Sequence, residues 1–376
     1  MNDAYYVSAQ KMTVGYDGKP LIENISIGVR RGEILTLIGP NGSGKSTILK
    51  SMIKQLKLIA GTVVLNGRDM ASLKERDVAK RLAIVMTERI KGELLTCREV
   101  VETGRYPYTG RLGILSDADR AVVSAAIETV HAEDFADRPY RAISDGQRQR
   151  ILLARAIAQQ PEVIVLDEPT SFLDVKHKLE LLDILKTMVR DENVAVIVSL
   201  HELDLAEKIS DRVVCVANGR IDRCDVPEHV FCDDYIKALY GIEAGSFNAL
   251  FGSPELPRIE GEPKVFVIGG GGSGVPVYRA LQRAGMPFAA GILPESDLDY
   301  PVANALSAEL YATRAFSAPT AADVETVRSR MLEIGSVIST VPAFGETNAA
   351  NQVLYEAAKE AGVLVSVDAL LRGARL

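Results

Sequence analysis

Apolar residues along the chain fall into short continuous runs separated by longer segments of mixed polarity. Runs such as VIVL at Val163–Leu166 and VAVIVSL at Val194–Leu200 have the length and β-branched content of strands buried on both faces. Segments with helical spacing, such as TILKSMIKQL, follow runs of this kind. This alternation of strands and helices predicts an α/β architecture with a parallel sheet.

The alternation continues to about Glu243 and is then interrupted. Residues 245–264, GSFNALFGSPELPRIEGEPK, are rich in Gly, Pro and Glu and are predicted to form a linker. We therefore predict two domains, at residues 1–244 and 265–376. The elements predicted for the second domain are strand Val265–Ile268, helix Val275–Ala284, strand Phe288–Leu293, helix Pro301–Leu306, strand Glu309–Ala312, helix Ala321–Glu333, strand Ser336–Thr340, helix Ala349–Ala361 and strand Val363–Val367.

Composition and charge narrow the class of protein. Of the 376 residues, 47% are hydrophobic and 25% are charged, as in soluble globular proteins. The net charge of −7 and the pI of about 5.4 predict no nucleic-acid partner. The four cysteines lack a C-x-x-C pair and are expected to be thiols in a reducing cytoplasm. No apolar run approaches the roughly 20 residues of a membrane span, and a signal peptide is not recognisable. We therefore expect any membrane-crossing partner to be another chain.

A glycine-rich loop at residues 39–47 fits the pattern G-x-x-x-x-G-K-[ST] in full. It follows the apolar strand Ile34–Ile38 and precedes a helix, which is the context that a phosphate-binding loop requires. Its glycines let backbone N–H groups turn towards phosphate oxygens, and the helix N-terminus adds partial positive charge. Lys45 is expected to contact the β- and γ-phosphates of ATP, and Ser46 to bind Mg²⁺. The predicted ATP-binding residues of the loop are Gly39, Pro40, Asn41, Gly42, Ser43, Gly44, Lys45, Ser46 and Thr47.

Two carboxylates, Asp167 and Glu168, follow the apolar run Val163–Leu166. In a parallel sheet the carboxyl ends of the strands meet at one edge, which places both acids beside the phosphate loop. Asp167 is therefore expected to hold Mg²⁺ through water, and Glu168 to orient and polarise the attacking water. The alternative is an acidic loop after a core strand that has no catalytic role.

A third motif, Ile143-Ser144-Asp145-Gly146-Gln147, precedes the helical segment RQRILLARAIAQQP. Ser144 and Gly146 at a helix start present a hydroxyl, free N–H groups and the helix dipole to an anion. This motif resembles the signature LSGGQ of ABC ATPases, with Asp145 in place of the first glycine. The two motifs above fit the same family. The resemblance implies a P-loop ABC ATPase domain with a RecA-like core and a helical signature subdomain. It also implies a head-to-tail homodimer in which Ser144, Asp145, Gly146 and Gln147 contact ATP held by the other copy.

Three further positions match the pattern of that family in order. Tyr16 matches the aromatic residue that stacks on adenine, and Asp174 matches the D-loop, which couples the two sites. His201, just after an apolar strand, matches the switch histidine that contacts the γ-phosphate. Taken alone, Tyr16 is an ordinary turn residue and a single histidine is usually structural. The family pattern implies Glu168, His201 and Lys45 as the catalytic residues.

The chain departs from the family pattern after the strand Leu82–Met86. The family usually has a glutamine there, which contacts Mg²⁺ and the attacking water, but this chain reads AIVMTERIKGELL. Thr87 takes that position by count, whereas Glu88 is the better chemical substitute because a carboxylate can bind Mg²⁺. We expect an altered Mg²⁺ dependence or rate. Both an active enzyme and a slow switch remain open.

The helical segment ahead of the signature indicates what the ATPase drives. The stretches GRYP at 104–107, ADRPYRAISDGQRQR and SFLDVKHKLELLDIL closely resemble ATPase subunits of importers for iron–siderophores, haem and cobalamin, over about Tyr5–Glu243. The resemblance implies a peripheral protein on the cytoplasmic face of the membrane. Its partners would be integral-membrane permease subunits near Ile90–Gly113 and, indirectly, an extracytoplasmic substrate-binding protein. The alternative is a soluble ABC ATPase acting on ribosomes or DNA, but such proteins have tandem ATPase domains or long coiled-coil insertions, and this chain has neither.

A second glycine-rich loop, VFVIGGGGSGVP at residues 265–276, opens the second domain. Gly269, Gly271 and Gly274 fit G-x-G-x-x-G between a strand and a helix, which predicts a smaller Rossmann-like α/β domain. A dinucleotide site needs an acid about 20 residues further on, where Glu295 follows the next strand. Another small ligand, or a tight turn without a ligand, explains the loop equally. The domain has no His and no Cys, so we expect a regulatory ligand that changes the ATPase rate rather than nucleophilic catalysis.

Overall fold

The computed structural model describes residues 5–86, 95–110 and 113–373. The chain divides into two compact units, Met1–Phe231 and Cys232–Leu376. Each unit contains buried hydrophobic clusters of its own. The division at Phe231 precedes the linker that the sequence predicts at 245–264, and the functional boundary between the domains stays a prediction.

The first unit contains two sheets and the helices that connect their strands. Its strands are β1 Val7–Tyr16, β2 Lys19–Val29, β3 Ile34–Ile38, β4 Ala60–Leu65, β5 Arg68–Asp69, β6 Leu82–Val85, β7 Val163–Asp167, β8 Ala195–Ser199, β9 Arg212–Ala217 and β10 Arg220–Asp225. Its α-helices are α1 Lys45–Met52, α2 Glu75–Ala79, α3 Cys97–Glu102, α4 Asp117–Thr129, α5 Asp145–Ala158, α6 Val175–Asp191, α7 Leu203–Ile209 and α8 Pro227–Val230. Strands and helices alternate over most of this unit, as predicted.

The larger sheet of the first unit has the strand order β10-β9-β3-β8-β7-β6. Strand β10 is antiparallel and the others are parallel. Every residue of β3, β7 and β8 is buried, which explains their continuous apolar runs. Because these three strands are neighbours, the loops that follow them meet at one edge of the sheet. A separate antiparallel sheet has the order β2-β1-β4-β5.

The second unit is a smaller α/β structure. Its elements are α9 Asp233–Tyr240, β11 Ser246–Asn248, β12 Ser253–Glu255, β13 Phe266–Ile268, α10 Val275–Arg283, β14 Ala289–Pro294, α11 Tyr300–Leu306, β15 Glu309–Thr313, α12 Ala321–Ile334, β16 Val337–Ser339, α13 Ala349–Glu360 and α14 Val367–Gly373. Strands β15-β14-β13-β16 form a parallel sheet in that order. This is the order of a Rossmann-type half, so the predicted fold class is confirmed. Strands β11 and β12 form a hairpin inside the predicted linker.

The prediction of a strand at Val363–Val367 is wrong. Leu364 forms a single bridge to Val337, and the chain then turns into α14. The side chain of Ser366 accepts a hydrogen bond from the backbone N–H of Ala369, which is how serine caps a helix start. A capping serine within the apolar run therefore ends the extended segment.

Two predictions about the whole chain can be compared with the described residues. Within these residues, no helix combines the length and the apolar character that a bilayer crossing requires. None of the four cysteines, all of which lie in the described ranges, forms a disulfide.

Candidate active site

A cavity of about 470 Å³ lies where the loops after β3, β7 and β8 meet. It brings together residues from five separate stretches of the sequence. Its lining residues are Tyr16, Leu21, Asn41, Gly42, Gly44, Lys45, Ser46, Thr47, Glu168 and His201. All of these except Leu21 are predicted site residues, so the structure brings these predicted residues together around one cavity.

The loop between β3 and α1 needs glycine at its two ends. Gly39 has a φ of 147°, and a Cβ atom there would lie 2.1 Å from the carbonyl oxygen of Val216. Gly44 has a φ of 101° and is the N-cap of α1, where its carbonyl accepts the N–H of Ile48 at 2.9 Å. No side chain caps this helix start. Its first N–H groups are therefore available to an anion.

Lys45 is buried beneath this loop. Its Nζ donates hydrogen bonds to the carbonyl oxygens of Gly39 at 2.7 Å and Pro40 at 3.1 Å. Burial lowers the pKa of Lys45, while the charges of Glu168 and Asp167 oppose that shift. Pro40 and Gly39 thus position the lysine rather than line the cavity. The hydroxyl of Ser43 is buried and has no protein partner among the described residues, so it can donate to a phosphate oxygen.

Asp167 is the centre of a hydrogen-bonded group at the end of β7. Its Oδ1 accepts hydrogen bonds from the hydroxyls of Ser46 at 3.1 Å and Ser199 at 2.7 Å. Ser199 also accepts the backbone N–H of Glu168 at 2.9 Å. The Ser46 hydroxyl and the Asp167 carboxylate are hard oxygen donors, which suit Mg²⁺. Sequence reasoning missed Ser199, although a serine ending the apolar strand AVIVS was a signal for it.

Glu168 and His201 contact each other at the cavity wall. His201 Nε2 lies 2.5 Å from Glu168 Oε1, and both side chains are partly exposed. Glu168 has a φ of 50°, a left-handed conformation that is uncommon for a residue with a side chain and that clusters at functional sites. A carboxylate held in this way can accept a proton from water while the imidazole fixes its orientation.

Tyr16 lies at the mouth of the same cavity. Its hydroxyl is 3.2 Å from the hydroxyl of Thr47, at the start of α1. The side chain remains about half exposed, with a relative accessibility of 52%. Its ring is therefore available to stack on a planar base.

The signature residues do not line the cavity of their own chain. Ser144 caps α5, accepting the N–H of Gln147 at 3.2 Å, while Gln147 accepts the N–H of Ser144 at 3.0 Å. Asp145 forms an ion pair with Arg148 at 2.6 Å. Gly146 lies in the first turn of α5, and the D-loop residue Asp174 caps α6 by accepting the N–H of His177 at 2.9 Å. Thr87 and Glu88 lie outside the described residues.

Comparison with known proteins places this geometry in a family. The ABC transporter family model matches residues 22–171, and the MJ0874 family model matches residues 288–372. An ABC transporter ATP-binding protein of Methanocaldococcus jannaschii is 40% identical over 279 residues, covering 74% of this chain and 96% of that protein. This chain belongs to the ATP-binding proteins of ABC transporters. It is an ATPase of that family, and the predicted family membership is confirmed.

Two further similarities describe this ABC protein more closely. The cobalamin import ATP-binding protein BtuD of Halobacterium salinarum is 36% identical over 294 residues, covering 76% of this chain and 73% of that protein. A bacterial ABC transporter cassette, solved as a dimer, superimposes with a TM-score of 0.53 at 25% identity. That match covers 59% of this chain and 98% of the cassette.

The predicted second site lies partly on another cavity. A cavity of about 880 Å³ opens at the carboxyl ends of the strands of the second unit. Of the four residues predicted there, Gly271 lines this cavity, whereas Gly269, Gly274 and Glu295 do not. Glu295 is exposed, and its carboxylate accepts the backbone N–H of Ala315 at 3.3 Å. The acids that line the cavity are Asp297, two residues after Glu295, and Glu346.

Proposed function

We propose that this ABC ATPase powers the import of a metal chelate, of the class of iron–siderophores, haem and cobalamin, through a partner permease. The observation that carries the proposal is the contact of Glu168 with His201 in the cavity that also contains Lys45. The cargo class rests on the similarity to a cobalamin import ATP-binding protein.

The side chains around the cavity of the first unit have separate roles in ATP binding and hydrolysis. Tyr16 stacks on the base, and the N–H groups at the start of α1 hold the phosphates together with Lys45. Ser46 and Asp167 would hold Mg²⁺, which neutralises charge on the phosphate oxygens. Glu168 accepts the proton of the attacking water, and His201 orients that carboxylate.

A homodimer completes the site. Ser144–Gln147 lie outside the cavity of their own chain, although they stand at the N-terminus of a 14-residue helix. A head-to-tail partner would present this helix start to ATP held by Lys45. The similarity to a cassette solved as a dimer supports this arrangement. ATP then stabilises the closed dimer because each site has all its contacts only in that state.

The transport role requires partners outside this chain. The dimer would bind permease subunits peripherally on the cytoplasmic face of the membrane, and an extracytoplasmic binding protein would deliver the chelate. The segment expected to contact the permease, Ile90–Gly113, is described by the structure at residues 95–110 and 113. Ile114, which directly follows this segment, is 71% exposed, as an apolar contact residue would be before its partner binds.

The test is uptake in host cells that lack the gene. We expect such cells to lose uptake of cobalamin, of haem or of a ferric siderophore, and wild-type protein to restore it. Lys45→Ala should fail to restore uptake because the phosphates lose their cation, whereas the exposed-site control Lys186→Ala should succeed. Unchanged uptake of all three kinds of chelate in the deletion strain would refute the cargo proposal. Restoration by Lys45→Ala would refute the ATP-driven role.

A further inference from the structure

The second unit contains the larger of the two cavities described above. It lies at the carboxyl ends of β13, β14, β15 and β16, where ligands of open α/β sheets bind. Its volume of about 880 Å³ falls in the range of small-molecule sites. The ATPase chemistry of the first unit makes no use of it.

The glycine loop beside this cavity donates its N–H groups to carboxylates of its own chain. Asp299, which is fully buried, accepts the N–H of Gly270 at 2.6 Å, of Gly274 at 2.9 Å and of Val275 at 3.1 Å. Asp297 accepts the N–H of Gly271 at 3.0 Å. In a dinucleotide site these donors would hold the pyrophosphate. Here two side-chain carboxylates take that place.

Internal packing explains why two glycines of the G-x-G-x-x-G pattern, Gly269 and Gly274, are needed. A Cβ atom at Gly269 would lie 2.2 Å from the hydroxyl oxygen of Tyr278, and one at Gly274 would lie 2.4 Å from it. Tyr278 is fully buried and stacks on Phe288 with ring centroids 5.3 Å apart. Glycine is therefore required at both positions so that the tyrosine can fit beneath the loop. A bound pyrophosphate is not needed to explain them.

The charges of the cavity favour a ligand without phosphate. Among the described residues that line it, Asp297 and Glu346 are acidic and none is basic. A diphosphate in this cavity would meet like charges with no cation to offset them. A neutral or cationic ligand that donates hydrogen bonds avoids this repulsion. Asp297 can accept such bonds, because a carboxylate has more acceptor sites than the two backbone N–H groups it binds here.

The remaining lining supplies an aromatic surface and the start of a helix. Phe316 at the rim is 96% exposed, and Val341 and Pro342 add apolar surface. An exposed aromatic ring next to a cavity suits stacking on a planar group. Helix α13 begins at Ala349 on the cavity wall, and no side chain caps it. The positive end of the helix dipole at this wall favours an acceptor atom of the ligand.

We propose that this cavity binds a phosphate-free nucleoside, neutral or cationic, with its ribose hydroxyls on Asp297 and its base against Phe316. An acid after the second strand of a Rossmann-type sheet is suitably placed for a ribose. In this chain that acid is Asp297 rather than the predicted Glu295. A dinucleotide, one of the alternatives that the glycine pattern left open, is disfavoured by the same carboxylates.

The test is calorimetric titration of the full chain with adenosine and with S-adenosylmethionine, in saturating ADP and Mg²⁺. The ADP occupies the first site, so that added nucleoside reports on the second. We expect one of the two probes to bind, and NAD⁺ not to bind. Asp297→Asn should weaken that binding by about tenfold or more, because it removes the charged acceptor of the ribose hydroxyls. The amide oxygen can still accept the N–H of Gly271, so the loop should keep its conformation.

Two further variants make the test specific. Glu295→Gln removes the same charge two residues away, outside the cavity, and should leave binding unchanged. Phe316→Ser should weaken binding without unfolding the domain, since the ring is almost fully exposed. No binding of either probe would overturn the proposal. So would binding of NAD⁺ in preference to both, or equal losses in Asp297→Asn and Glu295→Gln.

Discussion

Glu168 combines three features that few carboxylates share. It follows a fully buried strand, adopts a left-handed backbone conformation, and contacts His201 at 2.5 Å. Glu168 lines the cavity that Lys45 also lines. These features support the proposal that Glu168 accepts the proton of the attacking water.

Glu168→Gln should reduce ATP turnover by about 100-fold or more, because an amide cannot serve as a general base. ATP binding should persist, since Lys45 and the start of α1 are unchanged. The measurements are the steady-state ATPase rate and the ATP affinity of the same preparation. Glu192→Gln, at the exposed end of α6, is the control and should retain the wild-type rate. Rapid hydrolysis by Glu168→Gln would assign the base to another residue.

The sequence pattern predicted which residues of the first unit lie close together, while their roles stay predictions. Lys45, Asp167 and Glu168 occupy fixed places after apolar strands, so spacing alone brings them to one edge of the sheet. Ser199 could not be assigned in that way, because its contact with Asp167 depends on the pairing of β7 with β8. Asp297 and Asp299 were missed because the turn after β14 folds back onto the glycine loop. Counting residues from the loop pointed instead to Glu295.

The elements themselves followed the hydrophobic pattern closely. Helix α12 and strand β15 each lie within a residue of the predicted bounds, and a cap at Thr320 fixes the start of the helix. The segment Val363–Val367 is so short that its apolar pattern fits both a strand and the residues that lead into a helix. The cap at Ser366 starts helix α14 there. Local capping therefore decides the structure where an apolar run is only a few residues long.

Helix α4 is fixed at its start by an acid that should make stability depend on pH. Asp119 accepts hydrogen bonds from Ser116 and pairs with Arg105 at 2.9 Å. These contacts lower the pKa of Asp119 from 3.8 to about 2, the hydrogen bonds of Ser116 having the largest effect. A lowered pKa stabilises the fold above the unfolded value, and this stabilisation is lost as pH falls from about 4 to about 2.

Asp119→Asn should therefore lower the free energy of unfolding at neutral pH, and the difference from wild type should shrink as the pH falls below about 4. Denaturant unfolding of the two proteins over this pH range measures it. Asp117→Asn removes a fully exposed acid from the same helical turn and should have little effect at any pH. A wild-type advantage that stays constant down to pH 3 would contradict the assignment.

At the scale of the whole molecule, one chain contains two α/β units, each with its own core and its own cavity. A nucleoside in the second unit can regulate the ATPase only by binding differently to the ATP-bound and ATP-free states. Coupling of this kind is reciprocal, so a nucleoside that changes the affinity for ATP must itself bind with an affinity that ATP changes by the same factor. If the second unit is regulatory, the affinities of both sites must therefore change by the same factor.

We expect the affinity of the nucleoside probe that binds to differ by about fivefold or more between ATP-bound and ATP-free protein, the lower end of typical allosteric coupling. Glu168→Gln is the suitable background, because it should hold ATP without consuming it during the titration. The same variant with Asp297→Asn is the control, and its ATP affinity should no longer respond to the probe. Equal probe affinities with and without ATP would show that the two sites act independently. Binding in the second unit would then serve a purpose other than control of the ATPase, because a ligand with equal affinity for both states shifts neither.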